Sequence, residues 1–284
     1  MKYIVKINKM NEGRGIKVDK KLLRELQLVQ LNILKDINNF CVKNNIKYSL
    51  YGGTLIGAIR HQGFIPWDDD IDIAMSREEY NKFLACWKKN SLPGYVFQDN
   101  KEEPNFCYTF GKIRKDGTQY ISDDKDRRLK HNGIFIDIFP LDRVPKNKIL
   151  RFKNFIISCL YLLVCRGYPS KKDGRIIYMI SNFILKITSD KMRNKLKDRL
   201  LDIIGEYNRN GELQYIDTST FNNLRLYFPS NLFDKYTYVL FEDERFPVFQ
   251  EYDTYLKIQY NDYWKLPPEE DRICKHNPKE IILG

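Results

Sequence analysis

The sequence predicts an α+β fold, in which a mixed sheet with flanking helices carries a basic helical insertion. Apolar runs of strand length alternate with helical patterns over residues 1–145, three helical patterns rich in lysine and arginine follow, and strand patterns return after residue 210. We therefore expect a core over residues 1–145, a basic helical insertion over residues 146–210, and a C-terminal β/α segment over residues 211–284 that completes the core.

The composition is that of a folded protein with one large or two modest domains. The 284 residues are 43% hydrophobic and 14% aromatic, which excludes a disordered chain. The six cysteines include no C-x-x-C pair, so we expect reduced thiols in a cytoplasmic protein. No apolar run is long enough to span a bilayer, and none follows the basic N-terminus as in a signal peptide.

The first elements predict a helix that packs against a sheet. Residues 3–7 have the pattern of a short strand, and a glycine-rich loop follows them. Asp19 is a candidate N-cap. Apolar residues then recur at spacings of three and four, which places them on one face of a helix: Leu22, Leu26, Val29, Ile33, Ile37 and Phe40.

A glycine turn comes next. Gly52 and Gly53 lie between a predicted strand at residues 46–51 and a predicted helix at residues 55–60. Glycines at such a corner let the backbone approach a ligand, and the start of a helix offers free N–H groups to an anion. The turn is therefore a candidate phosphate-binding site.

Four aspartates follow within five positions: Asp68, Asp69, Asp70 and Asp72. Residues 70–75 have the pattern of a strand, so Asp70 and Asp72 share a face and Asp69 is expected to face away. Two carboxylates on a rigid strand suit Mg²⁺, which binds a few carboxylates together with substrate phosphates. A solvated acidic loop is the alternative, but the run lies among Ile and Trp residues, where uncompensated like charges are costly.

The following strands supply a further carboxylate. Asp137 lies alone in an apolar strand predicted at residues 133–139, where a carboxylate is costly unless it is paired or bound to a metal. It is the natural third ligand, and a hydrogen-bonded aspartate at a strand end is the alternative. Between the aspartate run and Asp137, a helix is predicted from Ser76 to about residue 89. Strands are predicted at residues 95–98, 106–114 and 118–121, with a hairpin turn at residues 115–117.

The net charge of +11 belongs to one segment. Residues 143–199 hold 15 Lys/Arg and 3 Asp/Glu, a net of +12, so an anionic partner is expected there. The apolar run at residues 155–165, flanked by cations, is typical of a helix at an anionic membrane surface, and an ordinary core helix is the alternative. Helices are predicted at residues 149–165, 175–187, 191–207 and 251–260, and paired strands at residues 236–241 and 246–249.

Together these motifs resemble the nucleotidyltransferase fold of polymerase-beta-like enzymes, in which a glycine turn holds phosphates and three carboxylates hold Mg²⁺. The 22 residues at 52–73 closely resemble the LicD/fukutin family of phosphotransferases. Similar motifs are Gly-Lys-Ile-Arg at 111–114, Phe-Ile-Asp-Ile-Phe-Pro-Leu-Asp at 135–142 and Tyr-Asn-Asp-Tyr-Trp-Lys-Leu-Pro-Pro at 260–268. At Asn261, members of the family commonly carry glycine.

The resemblance implies an Mg²⁺-dependent enzyme, with Mn²⁺ as an alternative ion, that transfers a substituted phosphate onto a cell-surface glycan such as teichoic acid, capsule or lipopolysaccharide. The donor it most favours is CDP-choline, and transfer of glycerol or ribitol phosphate from the CDP-polyol is the alternative. It implies Asp70, Asp72 and Asp137 as catalytic metal ligands, Asp68 as an additional ligand, and Asp137 as the base that takes the acceptor's proton.

The resemblance also implies the groups that hold the donor. Gly52, Gly53 and Thr54 match the phosphate-binding turn. The cations of the matched motifs are Arg60, Lys112 and Arg114, with solvated surface charge as the alternative, above all for Arg60. His61 could donate to a phosphate, although a lone histidine is more often structural. Choline binds to aromatic faces, for which the candidates are Trp67, Tyr108, Tyr260, Tyr263 and Trp264.

The expected partners are a CDP-linked donor, a glycan or lipid-linked glycan acceptor, and an anionic membrane surface. These partners would place a cytoplasmic, peripheral protein at the inner face of the plasma membrane. A nucleotidyltransferase acting on RNA or on a small molecule is the alternative function. No nucleic acid is expected as a partner, because the basic residues interleave with an aliphatic run and no helix-turn-helix or RRM-type motif is present.

Overall fold

The structure is a computed structural model that describes residues 4–6, 19–103, 105–123, 126–170, 174–206, 213–276 and 278–284. Its helices are α1 (Lys20–Lys43), α2 (Gly52–His61), α3 (Arg77–Lys89), α4 (Lys148–Arg166), α5 (Arg175–Ile187), α6 (Asp190–Glu206) and α7 (Tyr252–Tyr260). Its strands are β1 (Ile4–Lys6), β2 (Ser49–Leu50), β3 (Asp72–Ser76), β4 (Tyr95–Gln98), β5 (Gly111–Lys115), β6 (Gln119–Ile121), β7 (Phe135–Pro145), β8 (Leu213–Asp217), β9 (Tyr236–Phe241), β10 (Glu244–Phe249) and β11 (Glu280–Ile282). The predicted glycine-rich loop before Asp19 lies outside the described residues.

The predicted mixed sheet with flanking helices is confirmed. Its strand order is β2-β3-β7-β5-β4, and β8 also pairs with β7. The pair β3–β7 is parallel, and the other pairs of this sheet are antiparallel. Because β8 comes from the C-terminal segment, that segment completes the sheet; the division into three regions itself stays a prediction. Within the described ranges, no helix combines the length and the apolar character needed to cross a membrane.

Strand β7 organises the sheet. It is 11 residues long, with β3 on one edge and β5 and β8 following one another along the other edge. In this register Asp137 is the partner of Asp72 on β3 and of Lys112 on β5. Directly paired residues project to the same face of a sheet, so three charged side chains stand in one row across three strands.

The predicted hairpin at residues 115–117 is wrong. Strand β6 does not pair with β5; it pairs with β11, which in turn pairs with β1 in a separate three-stranded sheet. The reason is that both edges of β5 are already occupied, by β4 and by β7. The turn signal in the sequence was real, since Gly117 has a φ of +76°, but the turn leads the chain out of the main sheet.

Helix α1 confirms the predicted packing helix. The side chain of Asp19 caps it by accepting hydrogen bonds from the backbone N–H groups of Lys21 and Leu22. The predicted apolar face is buried in the main core, apart from Val29, which is partly buried. The strand pair β9–β10 also forms as predicted.

The helical segment forms a small core of its own between α4 and α6. Its buried members are Tyr161, Val164, Cys165, Leu200 and Ile204. The apolar run at residues 155–165, which was a candidate membrane surface, therefore contributes its C-terminal half to this core, in line with the alternative interpretation. Helix α5 differs, because none of its side chains is buried.

A buried ion pair fixes α3 to β7. Arg77 is the first residue of α3, and its Nε and Nη2 donate to Oδ1 and Oδ2 of Asp142, each at 2.7 Å. Asp142 is fully buried and Arg77 is nearly so. Such a two-point pair is directional, and removing one partner leaves a charge in a dry environment.

We therefore expect Arg77→Met to lower the free energy of unfolding by about 3–5 kcal/mol, because Asp142 loses its main counter-charge. The double variant Arg77→Met/Asp142→Leu should recover most of that loss. Urea denaturation measures both changes, and Arg24→Met, which breaks the more exposed pair with Glu242, is the control and should cost less than about 1 kcal/mol. Equal losses in the two single variants would contradict this account.

Candidate active site

The aspartate run lies in a loop that leads into β3. The strand begins at Asp72, two residues later than predicted, so Asp70 precedes the strand. Helix α1 holds this loop from behind: the Nε2 atoms of Gln27 and Gln30 donate to the backbone carbonyls of Asp68 and Asp69, each at 2.9 Å. The loop is thus fixed by its backbone, which leaves the carboxylates to make their own contacts.

The two glycines of the turn give space to two of these carboxylates. A Cβ atom on Gly52 would lie 2.6 Å from Oδ2 of Asp72, and a Cβ atom on Gly53 would lie 2.6 Å from Oδ2 of Asp68. Gly52 also has a φ of +55°, which disfavours any other residue. The turn therefore receives carboxylates at the start of α2, and its predicted phosphate-binding role stays a prediction.

Thr54 holds the backbone of Asp72 in place. It is buried, and its hydroxyl accepts a hydrogen bond of 2.8 Å from the backbone N–H of Asp72. This contact connects the first turn of α2 to the first residue of β3. Thr54 was predicted to bind substrate, and its observed contact is one that positions Asp72.

The carboxylates raise one another's pKa. Burial first, and then the negative charges of Asp70 and Asp137, hold the pKa of Asp72 well above its usual range. Burial and the neighbouring Asp70 and Asp69 do the same for Asp68, and burial raises the pKa of Asp70 against the opposing charge of His276. These groups form one cluster whose negative charge is only partly balanced by the protein.

Lys112 supplies the fixed positive charge of the cluster. Its Nζ lies 2.6 Å from Oδ1 of Asp137 and 3.5 Å from the centre of the Phe135 ring, and the lysine is buried. Burial lowers the pKa of Lys112, and the charge of Asp137 opposes that effect. Lys112 was predicted to bind a phosphate; in the structure it is paired with a predicted metal ligand.

The other two predicted cations differ in their positions. Arg114 is buried, and its guanidinium donates to Oε1 of Gln98 at 2.6 Å and to the carbonyl of Gly133 at 2.9 Å. Arg60 is half-buried and donates to the carbonyl of Tyr263 at 2.6 Å and to Nε2 of His61 at 3.0 Å. Arg60 lines a cavity beside the cluster, whereas Arg114 braces the sheet.

Asp69 is not outward-facing, so that prediction is wrong. Its carboxylate is fully buried and has two partners. Oδ2 accepts a hydrogen bond of 2.7 Å from the Tyr120 hydroxyl, and Oδ1 lies 3.1 Å from Nδ1 of His276. Burial alone would raise the pKa of Asp69, but these two partners lower it. A peptide segment that is not extended, as here before β3, does not alternate its side chains as a strand does.

His276 is a site residue that the sequence analysis missed. Its Nε2 lies 3.6 Å from Oδ2 of Asp70. Burial lowers the pKa of His276, but the hydrogen bond to Asp69 and the charge of Asp70 outweigh it and raise that pKa to about 9. The sequence signal was weak: His276 is one of three histidines in the chain, and its partners lie some 200 residues earlier.

One group of described side chains has its ligand atoms close enough together to hold a cation. In the described part of the chain, the ligand atoms of Asp69, Asp70 and His276 lie within 4.8 Å of one another. Binding there would require His276 to lose its proton and Asp69 to lose a hydrogen bond. The predicted group of Asp70, Asp72, Asp137 and Asp68 does not bring its ligand atoms this close together in the described residues, so as a metal site it stays a prediction.

Two cavities meet at the carboxylates. One, of about 470 Å³, is named here the Tyr108 cavity, and the other, of about 560 Å³, the Arg60 cavity. Asp70, Asp72, Tyr260 and His276 line both of them. Gly52 and Asp137 lie on the Tyr108 side, and Gly53 and Asp68 on the Arg60 side.

The two cavities offer different chemistry. The cations of the Arg60 cavity are Arg60, Lys265 and Lys275, together with His276. The Tyr108 cavity has six carboxylates against Arg166 and His276 among its described lining residues, and it has aromatic side chains: Tyr51, Tyr108, Phe110, Phe139, Tyr168 and Tyr260. One of its carboxylates, Asp217, comes from β8, a strand that the sequence analysis did not predict.

The predicted aromatic candidates are divided between the cavities. Tyr108 lines the first cavity, Trp67 and Tyr263 line the second, and Tyr260 lines both. Trp264 is 57% exposed and lines neither of them. Asn261 ends α7 with a φ of +58° and a ψ of −111°, which lies outside the left-handed helical region that asparagine tolerates and in a region that glycine adopts more readily.

Because the cluster concentrates buried negative charge, we expect Asp72→Asn to stabilise the metal-free protein. Removing the charge should raise the melting temperature in EDTA by about 2–4 °C, the shift that corresponds to roughly 1 kcal/mol. Mg²⁺ should raise the melting temperature of the unsubstituted protein but not that of the variant. Asp116→Asn, at an exposed turn, is the control; a destabilised Asp72→Asn protein, or one with an unchanged response to Mg²⁺, would contradict the cluster's role.

Comparison with known proteins supplies the family. Residues 45–156 match the nucleotidyltransferase domain of LicD/FKTN/FKRP. The chain is 35% identical over 274 residues to the lipopolysaccharide cholinephosphotransferase LicD of Haemophilus influenzae, an alignment that covers 92% of this chain and 98% of the relative. An uncharacterised protein of Rickettsia typhi is 44% identical over 175 residues, which cover 59% of this chain and 53% of that protein. Another, from Rickettsia prowazekii, is 52% identical over 105 residues, which cover 30% of this chain and 38% of that protein. The resemblance carried by residues 52–73 is thereby confirmed, and the chain belongs to the LicD family of transferases.

Proposed function

We propose that this transferase uses a divalent cation to move phosphocholine from CDP-choline onto a glycan, on a nucleotidyltransferase-like core. The observation that carries the proposal is the position of the carboxylate cluster, where two cavities of different chemistry meet. The similarity to a lipopolysaccharide cholinephosphotransferase along 92% of the chain supports the same reaction class. The following steps assign a role to each part of the site.

The cation would be held by the aspartates. Asp70, Asp72 and Asp137 are the proposed ligands, with Asp68 as an additional ligand from the Arg60 side. Bound Mg²⁺ or Mn²⁺ would neutralise the donor's phosphates and align them for displacement. The raised pKa of Asp72 and Asp68 supports this assignment, because a cation would offset the burial and the repulsion that raise it.

The Arg60 cavity suits the nucleotide part of the donor. Arg60, Lys265 and Lys275 provide positive charge near the carboxylates, and Gly53 brings the start of α2 to the same side. Phosphate groups bind to such cations and to the free N–H groups at a helix start. We assign the CMP half of CDP-choline to this cavity, with Gly52 and Thr54 holding the turn in place.

The Tyr108 cavity suits the choline group. A quaternary ammonium ion binds to the faces of aromatic rings and near negative charge, and this cavity has both. Nζ of Lys112 already lies 5.1 Å from the centre of the Tyr108 ring, so Tyr168 and Tyr260 are better placed to receive a second cation. A neutral glycerol or ribitol would gain less from this lining, which favours choline over a polyol.

The chain's own groups then carry out the transfer. The acceptor hydroxyl forms a bond to the phosphorus that bears the choline, and the bond from that phosphorus to the CMP oxygen breaks. Asp137 takes the proton of the hydroxyl, and its contact with Nζ of Lys112 holds its carboxylate in position. Positioning and electrostatic stabilisation supply most of the rate in such reactions.

The proposed acceptor is a cell-surface glycan, or its lipid-linked precursor, such as lipopolysaccharide, teichoic acid or capsule. A lipid-linked acceptor would bring the protein, as a peripheral cytoplasmic enzyme, to the inner face of the plasma membrane. The high positive charge of residues 143–199 supports an anionic partner of this kind.

We expect Asp72→Asn and Asp70→Asn to reduce CMP release from CDP-choline by at least about 10²-fold. The reason is that the cation loses a ligand and no longer aligns the donor's phosphates at the reacting centre. The measurement is CMP release by the purified protein with Mg²⁺, with and without EDTA, from CDP-choline, CDP-glycerol and CDP-ribitol. Asp116→Asn controls for charge loss at an exposed site and should keep full activity.

Three results would contradict the proposal. Full activity of either aspartate variant would remove the carboxylates from the chemistry. Activity that is unchanged by EDTA would remove the cation. A preference for CDP-glycerol or CDP-ribitol over CDP-choline would replace the phosphocholine assignment by transfer of a polyol phosphate.

A further inference from the structure

Helix α5 turns its apolar side to solvent. Five large side chains at helical spacing are each more than half exposed: Ile176 (75%), Met179 (61%), Ile180 (55%), Phe183 (64%) and Ile187 (61%). The better-covered side chains of the helix include Tyr178, Ser181, Asn182 and Leu185. A surface helix normally buries its apolar stripe and exposes its polar one, so the orientation of α5 is reversed.

This exposure is too regular to be scattered surface apolarity. The five positions follow the spacing i, i+3, i+4, i+7 and i+11, so they form one stripe along about three turns of helix. Single exposed apolar residues are common on proteins, but a continuous apolar surface marks a place where something binds. The described residues of the chain leave this stripe uncovered.

The charges around α5 indicate the chemistry of its partner. The helix has no acidic residue, Arg175 lies at its start and Lys186 near its end. Helix α6, which follows after a short link, contains Lys191, Arg193 and Lys195 in its first turns. Residues 143–199 as a whole carry a net charge of +12. An apolar stripe with cations beside it is the arrangement of a helix that lies in an anionic lipid interface.

Helix α4 adds a second stripe of the same kind. In its first half, Ile149, Phe152 and Ile156 are 71%, 65% and 50% exposed, and they recur at spacings of three and four. Lys148 and Lys153 accompany them. Most of the exposed large apolar side chains in the described part of residues 146–206 therefore lie on α5 and on the start of α4.

We propose that α5 lies flat in the headgroup region of an anionic membrane, with the stripe from Ile176 to Ile187 against the acyl chains. Its 13 residues are too short to cross a bilayer, which needs about 20, but long enough to lie in its surface. A lipid surface is favoured over a protein partner because the cations border the stripe and no acid interrupts it. The proposal does not rest on the phosphocholine assignment.

The test measures co-sedimentation of the full chain with vesicles of phosphatidylcholine, with and without phosphatidylglycerol, at low salt. The chain should co-sediment with the vesicles that contain phosphatidylglycerol and should not co-sediment with those of phosphatidylcholine alone. The triple variant Ile176→Asp/Ile180→Asp/Phe183→Asp should lower the apparent partition coefficient about tenfold or more, because it replaces apolar contacts by negative charge. Val42→Asp, at a 70% exposed position of α1, is the matched control and should bind as the unsubstituted chain does.

Circular dichroism checks that the variants remain folded. Phe183→Ser, which adds no charge, replaces the triple variant if that protein does not fold, and should weaken binding in the same direction. Undiminished vesicle binding by the folded variants, or no binding by the unsubstituted chain, would overturn the proposal. A stable dimer of the unsubstituted chain that the triple variant converts to a monomer would also overturn it, because the stripe would then join two copies.

Discussion

Repulsion among buried carboxylates is the constraint on which this site depends. Asp72 and Asp137 lie side by side on neighbouring parallel strands, and Asp70 and Asp68 precede β3 in the same loop. Gly52 and Gly53 leave the space that Asp72 and Asp68 occupy. Lys112 balances part of this charge, so the fold concentrates negative charge at the point where two cavities meet. Buried carboxylates are stable when they are paired or bound to a cation, and the proposed function starts from that requirement.

Local sequence patterns predicted the elements that local physics determines. The packing face of α1, the bounds of α5 and the pairing of β9 with β10 follow from periodicity and turn residues, and the mixed sheet follows from the order of elements. The lone aspartate in an apolar strand drew attention to Asp137, which the structure pairs with Asp72. These are cases in which neighbouring residues carry the whole signal.

Contacts between distant parts of the chain could not be predicted from local sequence patterns. His276 meets Asp69 only because the C-terminal segment returns to the first half of the chain, and Asp217 reaches the Tyr108 cavity on a strand that pairs with the end of β7. The pairing of β6 depends on which edges other strands leave open. The sequence marked the apolar run at residues 155–165 as a candidate membrane surface, but it could not show that the fold would cover part of this run and leave the side chains of α5 unburied.

The position of the bound cation tests the central claim most directly. A crystal structure of the protein with Mn²⁺ and CDP-choline, with anomalous diffraction data collected at the manganese edge, locates that ion independently of any activity. We expect the anomalous peak among Asp70, Asp72 and Asp137, next to the donor's phosphates. A peak at Asp69, Asp70 and His276, away from Asp72 and Asp137, would contradict the account, as would a bound donor with no metal ion at the carboxylates.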